Sequence, residues 1–190
     1  MESKSTEKII VEAKKIFLRY GFRRTTMGDL AKAAQMSRPA LYLVFPSKED
    51  VFLAVAERFM ADALDEIRRG IPPLKSAAQK LTFAFDVWYV RPFEMIQASP
   101  DASDIFESGC EVASEALLRA KADFEAVIAD VLKPLVREQS KVKLSAARIA
   151  EIICIAAHGF KKTAGNAAEL RQMLDDHLTL VLAGLGYRKE

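Results

Sequence analysis

The chain has 190 residues, 51% of them apolar, and its 28 Lys and Arg against 26 Asp and Glu leave a formal net charge of only +2. This length and apolar content allow a sizeable core in one or two domains, and the total charge alone does not indicate a nucleic-acid partner. Two cysteines without a CxxC pair exclude a disulfide framework, and the absence of a signal-peptide core or bilayer-length apolar stretch predicts a cytoplasmic protein with no membrane partner.

Charge is unevenly distributed along the chain. Residues 1–50 hold ten Lys and Arg against six Asp and Glu, a net +4, whereas the remainder is net −2. This asymmetry indicates a small basic module on a mildly acidic body, although a solvated basic face has the same composition.

The N-terminal segment predicts three helices before residue 46. The first covers about 6–20 and ends at Gly21, a usual C-terminal residue for a helix. A short second helix follows Thr26, whose spacing from Asp29 is typical of a capping box. A third helix begins at Ser37, with Pro39 in its first turn, where a missing N–H costs little.

The rest of the chain has helical periodicity throughout, and no segment alternates as a half-buried strand does. A fourth helix opens at Ser47, caps on Asp50 and ends near Gly70, before a candidate linker ending at Pro73. Further helices are predicted at about 74–90, 92–97, within 101–139 (one or two), 145–163 and 167–184. The predicted fold class is all-α with about nine helices: an N-terminal three-helix helix-turn-helix domain and a C-terminal helical ligand-binding and dimerisation domain.

The second and third helices form a helix-turn-helix candidate, in which the later helix enters the major groove of DNA. Leu41 and Phe45 fix this helix to the core, so its other faces are free. Arg38 can bond guanine O6 and N7, and Tyr42 can donate its hydroxyl to a phosphate. Alternatively, the polar residues are only helix caps and Tyr42 is a surface aromatic. The predicted DNA-binding residues are Thr26, Ser37, Arg38, Pro39, Ala40, Tyr42, Leu43 and Lys48.

The segment FLRYGFRRTTMGDLAKAAQMSRPALYLVFPSKEDVFLAV carries a specific order of residues. Its features are Tyr20–Gly21–Phe22, Thr25–Thr26, Asp29–Leu30–Ala31–Ala34, Ser37, Leu41–Tyr42, Phe45 and Ser47–Lys48–Glu49. This pattern closely resembles the N-terminal domain of the TetR/AcrR family of transcriptional regulators.

The resemblance implies a homodimeric repressor whose C-terminal helices bind an inducer. It places Thr26, Ser37, Tyr42 and Lys48 at phosphates, and Arg38 and Ala40 near base edges. The chain departs from the family at Leu43 and Val44, positions that are often aromatic or His. That departure replaces a polar backbone contact with a methyl-rich one, suited to thymine.

The last two predicted helices carry apolar faces that require burial, either within the chain or against a second copy. Two helices from each subunit would form a four-helix interface about a two-fold axis, and the alternative is ordinary intrachain core. The predicted dimer-interface residues are Ile152, Ala156, Phe160, Leu174, Leu178, Val181 and Leu182.

Aromatic residues are concentrated between residues 83 and 106. They are expected either to line a cavity for an apolar or aromatic ligand or to form a bulky core. The predicted ligand-binding residues are Phe85, Trp88, Tyr89, Phe93, Phe106 and Cys110. No cofactor is indicated.

The sequence carries little support for catalysis. Cys154 and His158 could share a metal on one helical face, but no third ligand is evident, and the chain lacks a phosphate loop, GxSxG and HExxH. We therefore predict no enzyme and no metal site.

Residues 1–50 are expected to be the DNA-binding domain, and residues 51–190 the ligand-binding and dimerisation domain, of a repressor that a small molecule releases from a palindromic operator. The competing class is an all-helical small-molecule-binding protein or enzyme without DNA binding, which leaves the placement of Arg38 and Tyr42 unexplained.

Overall fold

The computed structural model describes residues 2–105, 111–138 and 142–187, and every regular element in these ranges is helical. The predicted all-α fold class is therefore confirmed. A π-helical turn (Asp86–Val90) and a 3-10 turn (Pro100–Ile105) accompany the α-helices. The α-helices are α1 (Glu2–Arg24), α2 (Met27–Ala33), α3 (Arg38–Val44), α4 (Lys48–Gly70), α5 (Ala77–Phe85), α6 (Arg91–Gln97), α7 (Ser114–Glu138), α8 (Ala146–Thr163) and α9 (Ala167–Gly184).

The chain forms two compact units. The first comprises Met1–Asp62 and Met95–Ala120, and the second comprises Ala63–Glu94 and Lys121–Glu190. The division into residues 1–50 and 51–190 concerns function and stays a prediction.

Side-chain caps begin the short helices of the first unit. Thr26 Oγ1 accepts the Asp29 N–H at 3.3 Å, and Asp29 Oδ2 accepts the Thr26 N–H at 2.9 Å. Ser37 Oγ accepts the Ala40 N–H at 3.3 Å, and Pro39 lies in the first turn of α3. The capping pattern expected from residue spacing is confirmed at both helices.

Helix α1 is interrupted at Gly21, where the sequence predicted its end. The φ angle of +78° lies in the left-handed region that glycine adopts readily. One further helical turn then continues to Arg24. A Cβ at position 21 would also collide with the Asp101 carbonyl oxygen and the Asp104 carboxylate.

The turn between α2 and α3 is tight and carries the left-handed residue Gln35, with φ of +58°. Lys8 Nζ donates to Gln35 Oε1 at 3.0 Å, which ties this turn to α1. The Met36 N–H donates to the Ala31 carbonyl at 2.9 Å and closes the end of α2. The buried core of the unit consists of Ile9, Ala13, Phe17, Phe22, Met27, Leu30, Ala31, Ala34, Leu41, Phe45, Val51, Phe52, Val55 and Ala113.

The predicted helix end before Pro92 is wrong, because the chain stays helical from Ala77 to Gln97. Proline normally breaks a helix, since it lacks an N–H and its ring crowds the preceding turn. Here the Arg91 N–H donates to the carbonyl of Asp86, five residues back, in a π turn. This wider turn directly before Pro92 gives its ring room.

Two long helices end the second unit. α8 and α9 begin at the N-caps Ser145 and Asn166, whose side-chain oxygens accept backbone N–H bonds from Arg148 and Glu169. Each helix buries a stripe with helical spacing. The stripes include Ile149, Ile153, Cys154 and Ala157 on α8, and Leu170, Leu174, Leu178 and Leu182 on α9. Within the described ranges, no helix has the length and apolar character that crossing a bilayer requires.

Candidate functional site

Helix α3 presents a mixed apolar and polar face to solvent. Its inner side is fixed by Leu41, which is fully buried, and by the C-cap residue Phe45. On the outer side, 88% of Leu43 and 45% of Tyr42 are exposed. The exposed Arg38 forms no ion pair with any carboxylate of the described residues. The outer side of this short helix therefore carries four different groups: the Arg38 guanidinium, the Tyr42 phenol, the Leu43 isobutyl group and the small Ala40.

The Thr26 side chain is already engaged at the start of α2. Its hydroxyl donates to Asp29 Oδ2 at 2.6 Å while accepting the Asp29 N–H. These bonds lower the pKa of Asp29, so its carboxylate stays ionised beside the hydroxyl. A phosphate contact by the Thr26 hydroxyl would therefore require its proton to leave Asp29.

Lys48 is held at the N-terminus of α4 by the turn that ends α1. Its Nζ donates to the carbonyl oxygens of Phe22 at 3.0 Å and Arg23 at 3.4 Å, and lies 4.4 Å from the centre of the Phe22 ring. An ammonium group has three donors, so one stays available for a phosphate.

The predicted ligand-binding aromatics of the second unit form a packed cluster. Phe85, Tyr89 and Phe93 are buried, and Trp88 is half-buried. Ring centres lie 5.6 Å apart for Phe85 and Tyr89, and Trp88 stacks on Phe124 at 4.7 Å. The other two predicted residues, Phe106 and Cys110, lie outside the described residues.

A polar contact closes this aromatic cluster. The Tyr89 hydroxyl donates to the Cys154 carbonyl at 3.3 Å. Burial raises the pKa of the Tyr89 phenol, and burial together with the charge of Glu125 raises the pKa of the Cys154 thiol to about 12. Neither group is therefore ionised near neutral pH, and the Cys154 thiol is not an activated nucleophile.

An open cleft of about 1510 Å³ lies within the second unit. Its walls combine apolar side chains with the cations Lys75, Lys80 and Arg171 and the carboxylates Asp86 and Asp175. Phe85 joins the cleft to the aromatic cluster. No carboxylate of the described residues pairs with Lys75 or Lys80. The apolar walls are Leu74, Phe83, Phe85, Val90, Val131, Pro134, Leu135 and Leu174.

An ion-pair network centred on Asp86 forms one wall of this cleft. Its carboxylate accepts bonds from Arg91 Nε at 2.8 Å and Arg171 Nη2 at 2.7 Å, and Arg91 Nη1 also donates to Glu66 at 2.6 Å. Burial alone would raise the pKa of Asp86, but the hydrogen bonds and charges of Arg171 and Arg91 outweigh it and lower that pKa. Arg171 thereby links the π turn to α9 at the cleft.

The predicted dimer-interface residues divide into buried and exposed groups. Leu174, Leu178 and Leu182 are buried within the chain itself. Ile152 is 40% exposed, and Ala156, Phe160 and Val181 are half-buried. The outer faces of α8 and α9 also expose two residues that the sequence analysis did not select, Ile155 at 55% and Leu180 at 72%.

A histidine lies beside this outer face. The ring centres of Phe160 and His177 are 5.4 Å apart, edge to face. Nε2 of His177 is buried without a hydrogen-bond partner among the described residues, and burial lowers the pKa of this imidazole. Open space surrounds Gly159 and Gly184 on the same two helices.

Comparison with known proteins identifies the helix-turn-helix segment. Residues 9–55 match the model of the family described as bacterial regulatory proteins, tetR family. Residues 9–55 are therefore a tetR-family segment. The resemblance found in residues 17–55 is therefore confirmed.

Curated relatives of this chain include a transcriptional activator and a further transcriptional regulator. The HTH-type transcriptional activator FasR of Mycolicibacterium smegmatis is 26% identical over 81 residues, which are 43% of this chain and 37% of FasR. The HTH-type transcriptional regulator QacR of Staphylococcus aureus is 37% identical over 49 residues, 26% of each protein. The chain thus matches well under half the length of these relatives.

A solved structure extends the likeness beyond the N-terminal segment of the chain. Thermus thermophilus FadR, a TetR family transcriptional repressor in complex with lauroyl-CoA, is similar over 97% of both chains. The two sequences are 25% identical, and the TM-score is 0.63.

The sequence did not reveal residues whose role depends on distant partners. Asp104 accepts the backbone N–H groups of Phe22 at 2.9 Å and Arg23 at 2.7 Å, although it lies some eighty positions later. An aspartate in a polar stretch carries no local signal for such a contact. The aromatic concentration in the sequence also predicted ligand-binding residues at the packed cluster, whereas the open space lies along α5.

Proposed function

We propose that this chain is a homodimeric transcriptional repressor that binds a palindromic DNA operator and is released from it by a small molecule. The observation that carries the proposal is the outer face of α3. On this face the exposed Leu43 lies beside the Tyr42 phenol and beside Arg38, which pairs with no carboxylate of the described residues. A cation, a phenol and an apolar side chain on one short helix supply the contacts that phosphates and base edges require. In a helix-turn-helix dimer, two such helices read half-sites about 34–36 Å apart, or multiples of that distance.

Each exposed side chain of α3 has a proposed task. Arg38 reads guanine by two hydrogen bonds, Leu43 contacts thymine methyl groups, and Tyr42 donates to a phosphate. Lys48 supplies its free N–H to the backbone. Ser37, Pro39 and Ala40 make close van der Waals contacts at the start of the helix, and Thr26 contributes at the start of α2.

The proposed dimer uses the outer faces of α8 and α9. Ile152, Ala156, Phe160 and Val181 join Leu180 in covering the partner, while the buried leucines of α9 support the helix from behind. Burying exposed apolar surface favours association, and a two-fold axis pairs each face with itself.

The proposed ligand occupies the cleft beside α5 and has an apolar portion. Phe85 connects the cleft to Trp88, Tyr89 and Phe93, which stay the predicted aromatic wall. Lys75, Lys80 and Arg171 make lauroyl-CoA a suitable first probe, because it combines an acyl chain with phosphate groups and occupies the similar Thermus thermophilus FadR. To release DNA, the ligand must bind the non-DNA conformation better, since equal affinity for both conformations shifts nothing.

The test begins with a duplex that the purified protein selects from a random-sequence pool. Affinity for this duplex is measured by fluorescence anisotropy at about 50 and about 200 mM salt, where phosphate contacts predict a steep loss of affinity. Arg38→Ala should relax the preference at particular base pairs, and Tyr42→Phe should weaken binding to all sequences alike. Arg69→Ala, which changes an exposed arginine at the far end of α4, is the matched control.

Ligand release is tested on the same complex. Lauroyl-CoA should lower the affinity for the selected duplex, with decanol as an uncharged apolar control. A protein that selects no duplex but binds lauroyl-CoA would instead be a small-molecule-binding protein without a DNA role, the class that the cleft alone would favour.

A further inference from the structure

A carboxylate outside the helix-turn-helix holds the turn that ends α1. Because α1 breaks at Gly21, the N–H groups of Phe22 and Arg23 have lost their helical partners. Asp104 Oδ1 accepts the first at 2.9 Å and Oδ2 accepts the second at 2.7 Å. Both oxygens of one ionised group are thus used on adjacent amides, in hydrogen bonds that are stronger than those of neutral groups.

The close approach of these segments depends on the residue before them. Gly21 has no side chain and a φ of +78°, and a Cβ there would overlap the Asp104 carboxylate and the Asp101 carbonyl. The absent side chain and the left-handed backbone therefore together let the 3-10 turn Pro100–Ile105 reach the turn after α1.

The opposite side of the same turn supports groups of the proposed DNA surface. The carbonyls of Phe22 and Arg23 accept the Lys48 ammonium, and the Phe22 ring packs 5.0 Å from Phe52 of α4. Thr25 Oγ1 donates to the Gly21 carbonyl at 2.6 Å, immediately before α2 begins. Displacing this turn would move Lys48 and the start of α2 together.

We propose that Asp104 is a positioning residue for DNA binding. It touches no DNA itself, and this role rests on the proposed function. By anchoring two amides of the turn, it fixes the two carbonyls that aim Lys48 and the chain that leads into α2. The helix-turn-helix surface therefore requires a residue from a segment that the sequence analysis assigned to the other domain.

The test compares Asp104→Ala and Asp104→Asn with Asp101→Ala in the full chain. Asp101 lies in the same 3-10 turn, but among the described residues its side chain makes only an exposed ion pair with Arg24, at 2.7 Å. Binding to the selected duplex should weaken about tenfold for Asp104→Ala, a size typical of coupling between sites. Asp104→Asn keeps one acceptor oxygen, so its affinity for the duplex should lie between those of Asp104→Ala and wild type. The affinity of Asp101→Ala should stay within about twofold of wild type.

Two readouts separate positioning from a general loss of fold. Amide hydrogen exchange should accelerate at Phe22 and Arg23 in Asp104→Ala while the cores of both units keep their protection. The slope of log affinity against log salt should fall by about two for the dimer, one for each Lys48 that no longer meets its phosphate. Lys48→Gln should then add little to the effect of Asp104→Ala, because both changes remove the same contact.

The outcomes are distinct. Wild-type affinity and salt slope in Asp104→Ala would overturn the proposal. So would a loss of protection spread over the whole chain, or an equal effect of Asp101→Ala. Failure of the wild-type protein to select any duplex would overturn the proposed function, and the DNA-binding role of Asp104 with it.

Discussion

Replacing Leu43 by alanine isolates the apolar contribution of α3 to DNA binding. Leu43 is 88% exposed in the free protein, so almost its whole side chain remains available for contact with DNA. Alanine lacks three of its carbons, and each carbon removed from water contributes about 0.8 kcal/mol. If DNA covers half of that surface, Leu43→Ala costs about 1.2 kcal/mol per half-site, or roughly 50-fold in affinity for a dimer on two half-sites.

The same helix supplies the control for this prediction. Leu43→Ala should leave the free energy of unfolding within about 0.5 kcal/mol of wild type, because the side chain packs against little in the chain. Leu41→Ala, two residues earlier and fully buried, should instead cost about 2–5 kcal/mol of stability. Urea unfolding followed by circular dichroism measures stability, and anisotropy with the selected duplex measures affinity. Wild-type affinity in Leu43→Ala would refute the assignment of this side chain to the DNA contact.

Three further predictions concern the second unit. Leu180→Glu should yield monomers in sedimentation experiments with helix content unchanged, since Leu180 is 72% exposed within the chain; an unaltered dimer would remove this residue from the interface. Burial lowers the pKa of His177. Its contribution to the free energy of unfolding is therefore fully present above the ordinary histidine pKa of about 6.5 and is lost as the pH falls below that value. The drop in melting temperature from about pH 7.5 to about 5.5 should accordingly be smaller in His177→Gln than in wild type, and equal drops would contradict this sign. Arg171→Gln should change the free energy of unfolding by less than about 1 kcal/mol, because the ion pair with Asp86 is partly exposed. The same change should weaken lauroyl-CoA binding by about tenfold in calorimetry. Undiminished binding would exclude Arg171 as an anion contact.

Local signals in the sequence were enough to place the short N-terminal helices. The spacing of Thr26 and Asp29, the serine before Pro39 and the glycine after Tyr20 each act within four residues, and the structure forms the corresponding cap or break at each site. Capping energies are local, so one sequence suffices to find them.

Local signals in the sequence could not predict features that depend on hydrogen-bond register or on packing between distant residues. A helix break was expected before Pro92 because a sequence does not reveal that a π turn will shift the hydrogen-bond partner of Arg91 by one residue. Periodicity found apolar stripes on the last helices, but it could not tell that Leu178 faces its own chain while Leu180 faces outward. A helix that is apolar on two faces gives the same pattern for core and for interface.

The first compact unit is assembled from two stretches of chain, and this has a consequence during synthesis. The helix-turn-helix residues leave the ribosome well before Met95–Ala120, whose Ala113 and Ile105 pack with their core. At a synthesis rate of about 5–20 residues per second, these first helices wait several seconds for the segment that completes them. During that interval the apolar surface that this segment covers stays exposed. A message truncated soon after codon 62 would therefore not release a constitutively active DNA reader into the cell, because the product would lack part of its own core.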